Sequence, residues 1–367
     1  MIATTHTGSL PRPTELVDLW TKDDDSSPEV RSAQLEAAVR SAVDEVVAKQ
    51  REIGIDLVND GEMGKISYVT YIKERLTGFD GVGRTPSLPE LRDYPEFASR
   101  IDSAYQLSKS PACNGPISLK DTEGVTRDIE HLREALDGDT SNAFMTAASP
   151  GVISTFFENQ YYPTREEYLA ALADAMRIEY AAIVNAGFIL QVDCPDLAMG
   201  RQMQFSRLTE DEFRREASLN VEALNTALAG LPPERLRMHI CWGNYEGPHH
   251  KDIPLSRILD IVLTAIPAGI ALEASNPRHA HEWSVFEDVT LPEGKYVIPG
   301  VIDSTSNFIE HPELVAQRLG RYISIVGRER VLAGADCGFG TFVGLSQVEA
   351  NIAWAKLRSL VAGARLA

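Results

Sequence analysis

His239 and Cys241 stand two residues apart in LRMHIC, a run of strand character. Alternate residues of a strand share a face, so this imidazole and thiol can converge on one point. Two further polar residues close later apolar runs, Glu273 in AGIALEA and Cys337 in RVLAGADC. One imidazole, two thiols and a carboxylate have the softness and number that tetrahedral Zn²⁺ takes. A packed histidine beside a buried cysteine produces the same HxC pattern, so spacing alone leaves a structural role open. Cys113 and Cys194 read as core or pocket lining.

Other polar residues also fall at the ends of apolar runs: Ser9 after ATTHTG, Asp60 and Glu62 after IDLV, and Asp193 after FILQV. A hydrophobic strand gains nothing from a carboxylate at its end unless something pairs with it. The repetition points to a shared centre, although strand-end capping explains each residue singly. His249 and His250 lie in GPHHKD, loop sequence where solvent exposure or substrate contact competes with catalysis.

The elements that position these groups alternate. Strand-like runs occur at 55–60, 142–148, 188–193, 236–241, 268–274, 295–303 and 330–337, with less distinct ones at 3–9 and 115–119. Helical periodicity fills the gaps, clearest at 164–186, 212–228 and 312–326, and Thr164 with Glu167 forms a capping-box pattern. Alternation of this kind implies a parallel sheet with both faces covered. About eight units fit without a linker, repeat or low-complexity tract, which favours one (β/α)₈ TIM barrel over residues 1–367. Residues 23–28 and 78–100 read as surface excursions. A doubly wound sheet is the alternative, but no GxGxxG follows an early strand, and the GVG at 81–83 sits in polar loop sequence.

Composition narrows the function. The 367 residues, 44% hydrophobic and 24% charged, suit a globular protein. A formal charge of −18 disfavours nucleic acid and anionic membranes as partners. No apolar run approaches the roughly 20 residues of a membrane span, and MIATTHTGSLPRP has no leader-like pattern, so a cytoplasmic location with reduced cysteines is expected.

Six motifs in order, HTGSLPRP, NDGEMGK, QVDCPDLAM, MHICWGN, LEASNPR and GADCGFGT, make the chain resemble the cobalamin-independent methionine synthase family, specifically its catalytic C-terminal barrel. The resemblance implies a zinc site at His239, Cys241, Glu273 and Cys337. It implies a homocysteine pocket at Ser9, Glu62 and Asp193, with the acids on the ammonium and backbone near Ser9 on the carboxylate. In the family the counterpart of Glu273 can yield to the incoming thiol.

The departures fall on the side of the methyl donor. The length has room for one barrel where the full-length synthase has two. The family's pterin-stacking tryptophan matches Phe156, its acidic pterin ligand matches Met199, and its arginine and cysteine before the third strand match Ala112 and Cys113. Its general-acid histidine matches Thr305, a hydroxyl that cannot deliver a proton unaided. The expected activity is therefore zinc-dependent methyl transfer to homocysteine or a similar thiol from a donor other than polyglutamylated methyltetrahydrofolate, such as another folate or a corrinoid protein. Alternatives are an alkyltransferase of the epoxyalkane:coenzyme M type and a non-catalytic methyl-carrier partner. A homodimer is the expected assembly from general frequency alone.

Overall fold

The structure, a computed structural model, describes residues 1–22, 27–84, 88–105 and 110–367, so most of the acidic excursion at 23–28 lies outside the described residues. Six strands form a parallel sheet in chain order: β1 (Phe144–Ala148), β2 (Ile189–Asp193), β3 (Leu236–Ile240), β4 (Gly269–Leu272), β5 (Tyr296–Ile302) and β6 (Gly334–Ala335). Two irregular staves span the remaining gap. Thr4 pairs in parallel with Ala333, and Val58 pairs in parallel with Ala143. The Asp56 and Leu57 N–H groups both donate to the Thr4 carbonyl, which joins these staves to each other. Six strands and two staves close the (β/α)₈ barrel, and closure overturns the doubly wound alternative.

All five residues of β1 and all five of β3 are buried, as expected of parallel strands covered on both faces. Arg237 in β3 is a charged exception inside the barrel. Its guanidinium donates to Thr5 Oγ1 and the His6 carbonyl, both at 2.9 Å, and lies over the Phe144 ring. One side chain thereby ties β3 and β1 to the first stave.

The expected helices form as Arg165–Asn185, Glu210–Leu228 and Pro312–Val326. Thr164 Oγ1 accepts the Glu167 N–H at 3.2 Å, while the fully reciprocal capping box is at Thr209 and Glu212. Residues 115–119 contribute no barrel strand, since Leu119 makes only an antiparallel bridge to Leu76. Gly81–Val82 is a short strand against Pro111–Cys113 and not a phosphate loop. The segment 78–100 is more than a surface excursion, because Leu88 and Leu91 line the same cavity as His239. Among the described residues no helix is long and apolar enough to cross a membrane.

Candidate metal and thiol site

His239 lies in β3 and Cys241 just beyond its end, whereas Cys337 follows β6. One ligand atom from each lies within 4.8 Å of the others, and the two sulfurs are 3.7 Å apart. Hydrogen bonding to Cys337 and then burial push the Cys241 thiol well above its ordinary value, although the Gly243 N–H donates to its sulfur at 3.3 Å. Neither ring nitrogen of buried His239 has a well-formed hydrogen bond. Burial, followed by the Arg237 charge, lowers its pKa to about 3, and the Ala271 backbone offsets only part of this. A neutral imidazole with free nitrogens beside two thiols is a donor set that fits Zn²⁺.

Glu273 stands next to this cluster without joining it. Its Oε1 accepts the Trp242 N–H at 2.7 Å and its Oε2 accepts from Asn276 Nδ2 at 2.6 Å. Burial, then the proximity of Cys241, raise its carboxyl well above the usual range. Asp336, which sequence reasoning missed, fixes this corner. Its carboxylate accepts the Ala274, Ser275 and Asn276 N–H groups, so the residue beside Cys337 holds the loop that carries Glu273.

The acidic end of the cavity is built on the NDGEMGK turn. Glu62 has φ +58°, a left-handed conformation that costs a non-glycine residue about 1–3 kcal/mol. Arg12 holds the turn by donating to the Glu62 and Lys65 carbonyls at 2.9 Å each. Glu62 Oε1 accepts from Thr146 Oγ1 at 2.8 Å, while its buried Oε2 has no partner. Asp193 closes β2 directly beside His239 in the strand register. Burial and then the Glu62 charge raise its carboxyl well above the usual range, despite a 2.8 Å hydrogen bond from Gln191. Ser9 is buried against the opposite loop, where its carbonyl accepts the Phe339 N–H at 2.8 Å.

Residues 1–86 and 119–365 match the family model described as the cobalamin-independent synthase catalytic domain. The chain belongs to that family. It is 25% identical over 376 residues to a methionine synthase of Saccharolobus solfataricus, covering 100% of this chain and 95% of that protein. Identity to a methionine synthase of Thermococcus kodakarensis is also 25%, over 374 residues, covering 100% of this chain and 93% of the relative. A B12-independent methionine synthase from Shewanella sp. W3-18-1, solved in complex with selenomethionine, superposes with a TM-score of 0.74 at 22% identity, covering 100% and 97% of the two chains. At that identity the superposition speaks for the fold alone.

The other residues expected from the synthase family divide. Ser9, Glu62, Phe156, Asp193, Met199, His239, Cys241 and Cys337 line one cavity of about 1060 Å³. Thr305 is not among its described lining residues; its N–H and hydroxyl both donate to Asp303 Oδ1. Ala112 and Cys113 lie in the small sheet at Pro111–Cys113, with the Cys113 thiol on the Gly115 carbonyl. Cys194 is buried with its thiol on the Val192 carbonyl.

His249 and His250 serve the scaffold. His249 Nδ1 meets Asp252 Oδ2 at 2.8 Å and its Nε2 meets the Tyr245 carbonyl at 3.1 Å, while His250 Nε2 meets Asp93 at 2.9 Å. His279 completes a second cluster of metal-ligating types with His249 and Asp252. Every ring nitrogen there already has a protein partner, since His279 is held between Asp252 at 3.0 Å and Glu282 at 2.8 Å. Its ring stacks under Trp242, centroids 4.1 Å apart, so the cluster braces the residue that follows Cys241.

Proposed function

We propose that this chain is a zinc-dependent thiol methyltransferase acting on homocysteine or a closely similar amino-acid thiol. One observation carries the reading: the soft donors His239, Cys241 and Cys337 open into the same cavity as the paired acids Glu62 and Asp193. Zinc held by the three donors would act as a Lewis acid that lowers the pKa of a coordinating substrate thiol. Glu62 and Asp193 would receive the substrate ammonium, which supplies the charge that Glu62 Oε2 and the Asp193 carboxyl lack. Backbone near Ser9 would receive the carboxylate. Glu273, clamped by Trp242 and Asn276, would enter the metal sphere only by giving up one of those bonds.

The methionine synthase relatives support methyl transfer as the reaction class. The sulfonate of coenzyme M would want a cation where Glu62 and Asp193 stand, which weighs against the epoxide-opening alternative. With Thr305 engaged by Asp303 and Phe156 in the pterin-stacking position, the donor we infer is not polyglutamylated methyltetrahydrofolate. A cytoplasmic setting would keep the donor thiols reduced.

Metal analysis after dialysis tests the centre. About one zinc per chain is expected, with large losses in Cys241→Ala and Cys337→Ala, and full occupancy in both variants would remove the ligand assignment. Methionine formation from homocysteine is then assayed with methylcobalamin, monoglutamyl methyltetrahydrofolate, a methylated sulfonium and a neutral methoxyarene. No methionine from any donor, with zinc and homocysteine bound, would defeat the methyltransferase reading.

A further inference from the structure

The cavity holds far more than an amino-acid thiol. At about 1060 Å³ it matches pockets that enclose drug-sized molecules, yet the acids and soft donors account for only one end. Residues 88–101 and 110–111, from the stretch between the two that match the family model, contribute to the other end. Leu91, Ala98 and Ile101 of this segment share the cavity with Tyr68, Phe156 and Phe342. Tyr68 meets the other two rings edge-on, with centroids 5.9 and 5.7 Å away, so the chamber has an aromatic surface as well as an aliphatic one.

This wall is anchored to the strand end that bears the soft donors. Glu90 accepts from Tyr245 Oη, and Asp93 takes His250 Nε2 at 2.9 Å and Lys251 Nζ at 2.5 Å. All three partners follow Cys241 in the chain. Among the described lining residues Arg92 is the only lysine or arginine, and it is exposed. A polyanionic donor would therefore find little countercharge, whereas a flat neutral ring would meet apolar surface.

We propose that residues 88–101 complete a second-substrate site for a neutral, apolar, ring-sized alkyl donor of the aryl methyl ether class. This inference rests on the thiol-methyltransferase reading and names its electrophile. The thiol sulfur forms a bond to the methyl carbon as the methyl–oxygen bond breaks. The electron pair leaves on the aryl oxygen, which takes up the proton shed by the thiol. Thiol and ether thus give thioether and phenol, with no oxidant or reductant.

The test titrates 2-methoxynaphthalene, a neutral fluorescent aryl methyl ether, into the full chain loaded with zinc and homocysteine. Saturable binding is expected, weakened roughly tenfold or more in Ala98→Asp and in Phe156→Ser. The wild-type chain should bind 6-methoxynaphthalene-2-carboxylate roughly tenfold more weakly than the neutral ring, a comparison that needs no variant to fold. Turnover should release methionine and 2-naphthol in equal amounts. Absent ring binding, or equal binding of the carboxylate, would overturn the donor class while bound zinc and homocysteine left the functional reading standing. Loss of zinc or homocysteine binding from the wild type would overturn both.

Discussion

The Asp193 carboxyl keeps its proton far above the usual carboxylate range because it is buried and because Glu62 faces it with a second carboxylate. An ammonium group placed beside this pair would relieve the repulsion and let Asp193 ionise. Asp193→Asn and Glu62→Gln should each weaken homocysteine binding by about 1.5–3 kcal/mol, roughly ten- to hundredfold. Calorimetric titration of the zinc-loaded variants checks this, with metal content as the control.

Glu273→Gln should separate the carboxylate from the three soft donors. Because both Glu273 oxygens are engaged by Trp242 and Asn276, the variant is expected to reach full zinc occupancy with about 10–100-fold lower affinity. Competition against a chromogenic chelator measures the affinity. Loss of all zinc would show Glu273 to be as necessary as the cysteines.

His279 should make stability depend on alkaline pH. Burial alone would lower its pKa, but hydrogen bonds to Asp252 and Glu282 outweigh burial and lift it to about 10 from 6.5. The folded state therefore binds the extra proton. Its stabilisation is complete below about pH 6.5 and disappears as pH rises through about 10. Urea midpoints should fall over that window in the wild type and vary much less in His279→Gln. The emission of Trp242, stacked on the ring, should follow the same titration.

Gly8→Ala should damage the acidic end of the cavity specifically. Gly8 has φ +140°, and a methyl there would lie 2.7 Å from Thr146 Cγ2 and 2.8 Å from Glu62 Oε1. About 1–3 kcal/mol of stability should be lost by overpacking, and homocysteine affinity should fall while zinc is retained. Thermal melts and calorimetry distinguish the two effects.

The sequence made the strand-end chemistry legible because a barrel places the ends of distant strands together. His239, Cys241 and Cys337 could therefore be related before any contact was visible. The role of 78–100 was hidden, since loop-like composition does not show which cavity a segment will cover. His249 and His250 were equally ambiguous, because Asp252, His279 and Asp93 become their partners only through folding. Asp336 had a faint signal, an acid beside a cysteine at a strand end. The partners of Arg237, the Thr5 hydroxyl and the His6 carbonyl, had none, as they belong to a stave more than two hundred positions away.

The barrel seam, where Thr4 meets Ala333 and Ser9 meets Phe339, makes the acidic end of the cavity a junction between segments more than three hundred positions apart. Contacts of such sequence separation are costly in loop entropy and tend to form slowly. A nascent chain can complete the aromatic surface of the cavity only after residue 342 is made, and the acidic end only when Ala333 has met the Thr4 stave. Recovery of homocysteine binding during refolding would therefore act as a clock for closure of the whole barrel, reporting the final docking event rather than early helix formation.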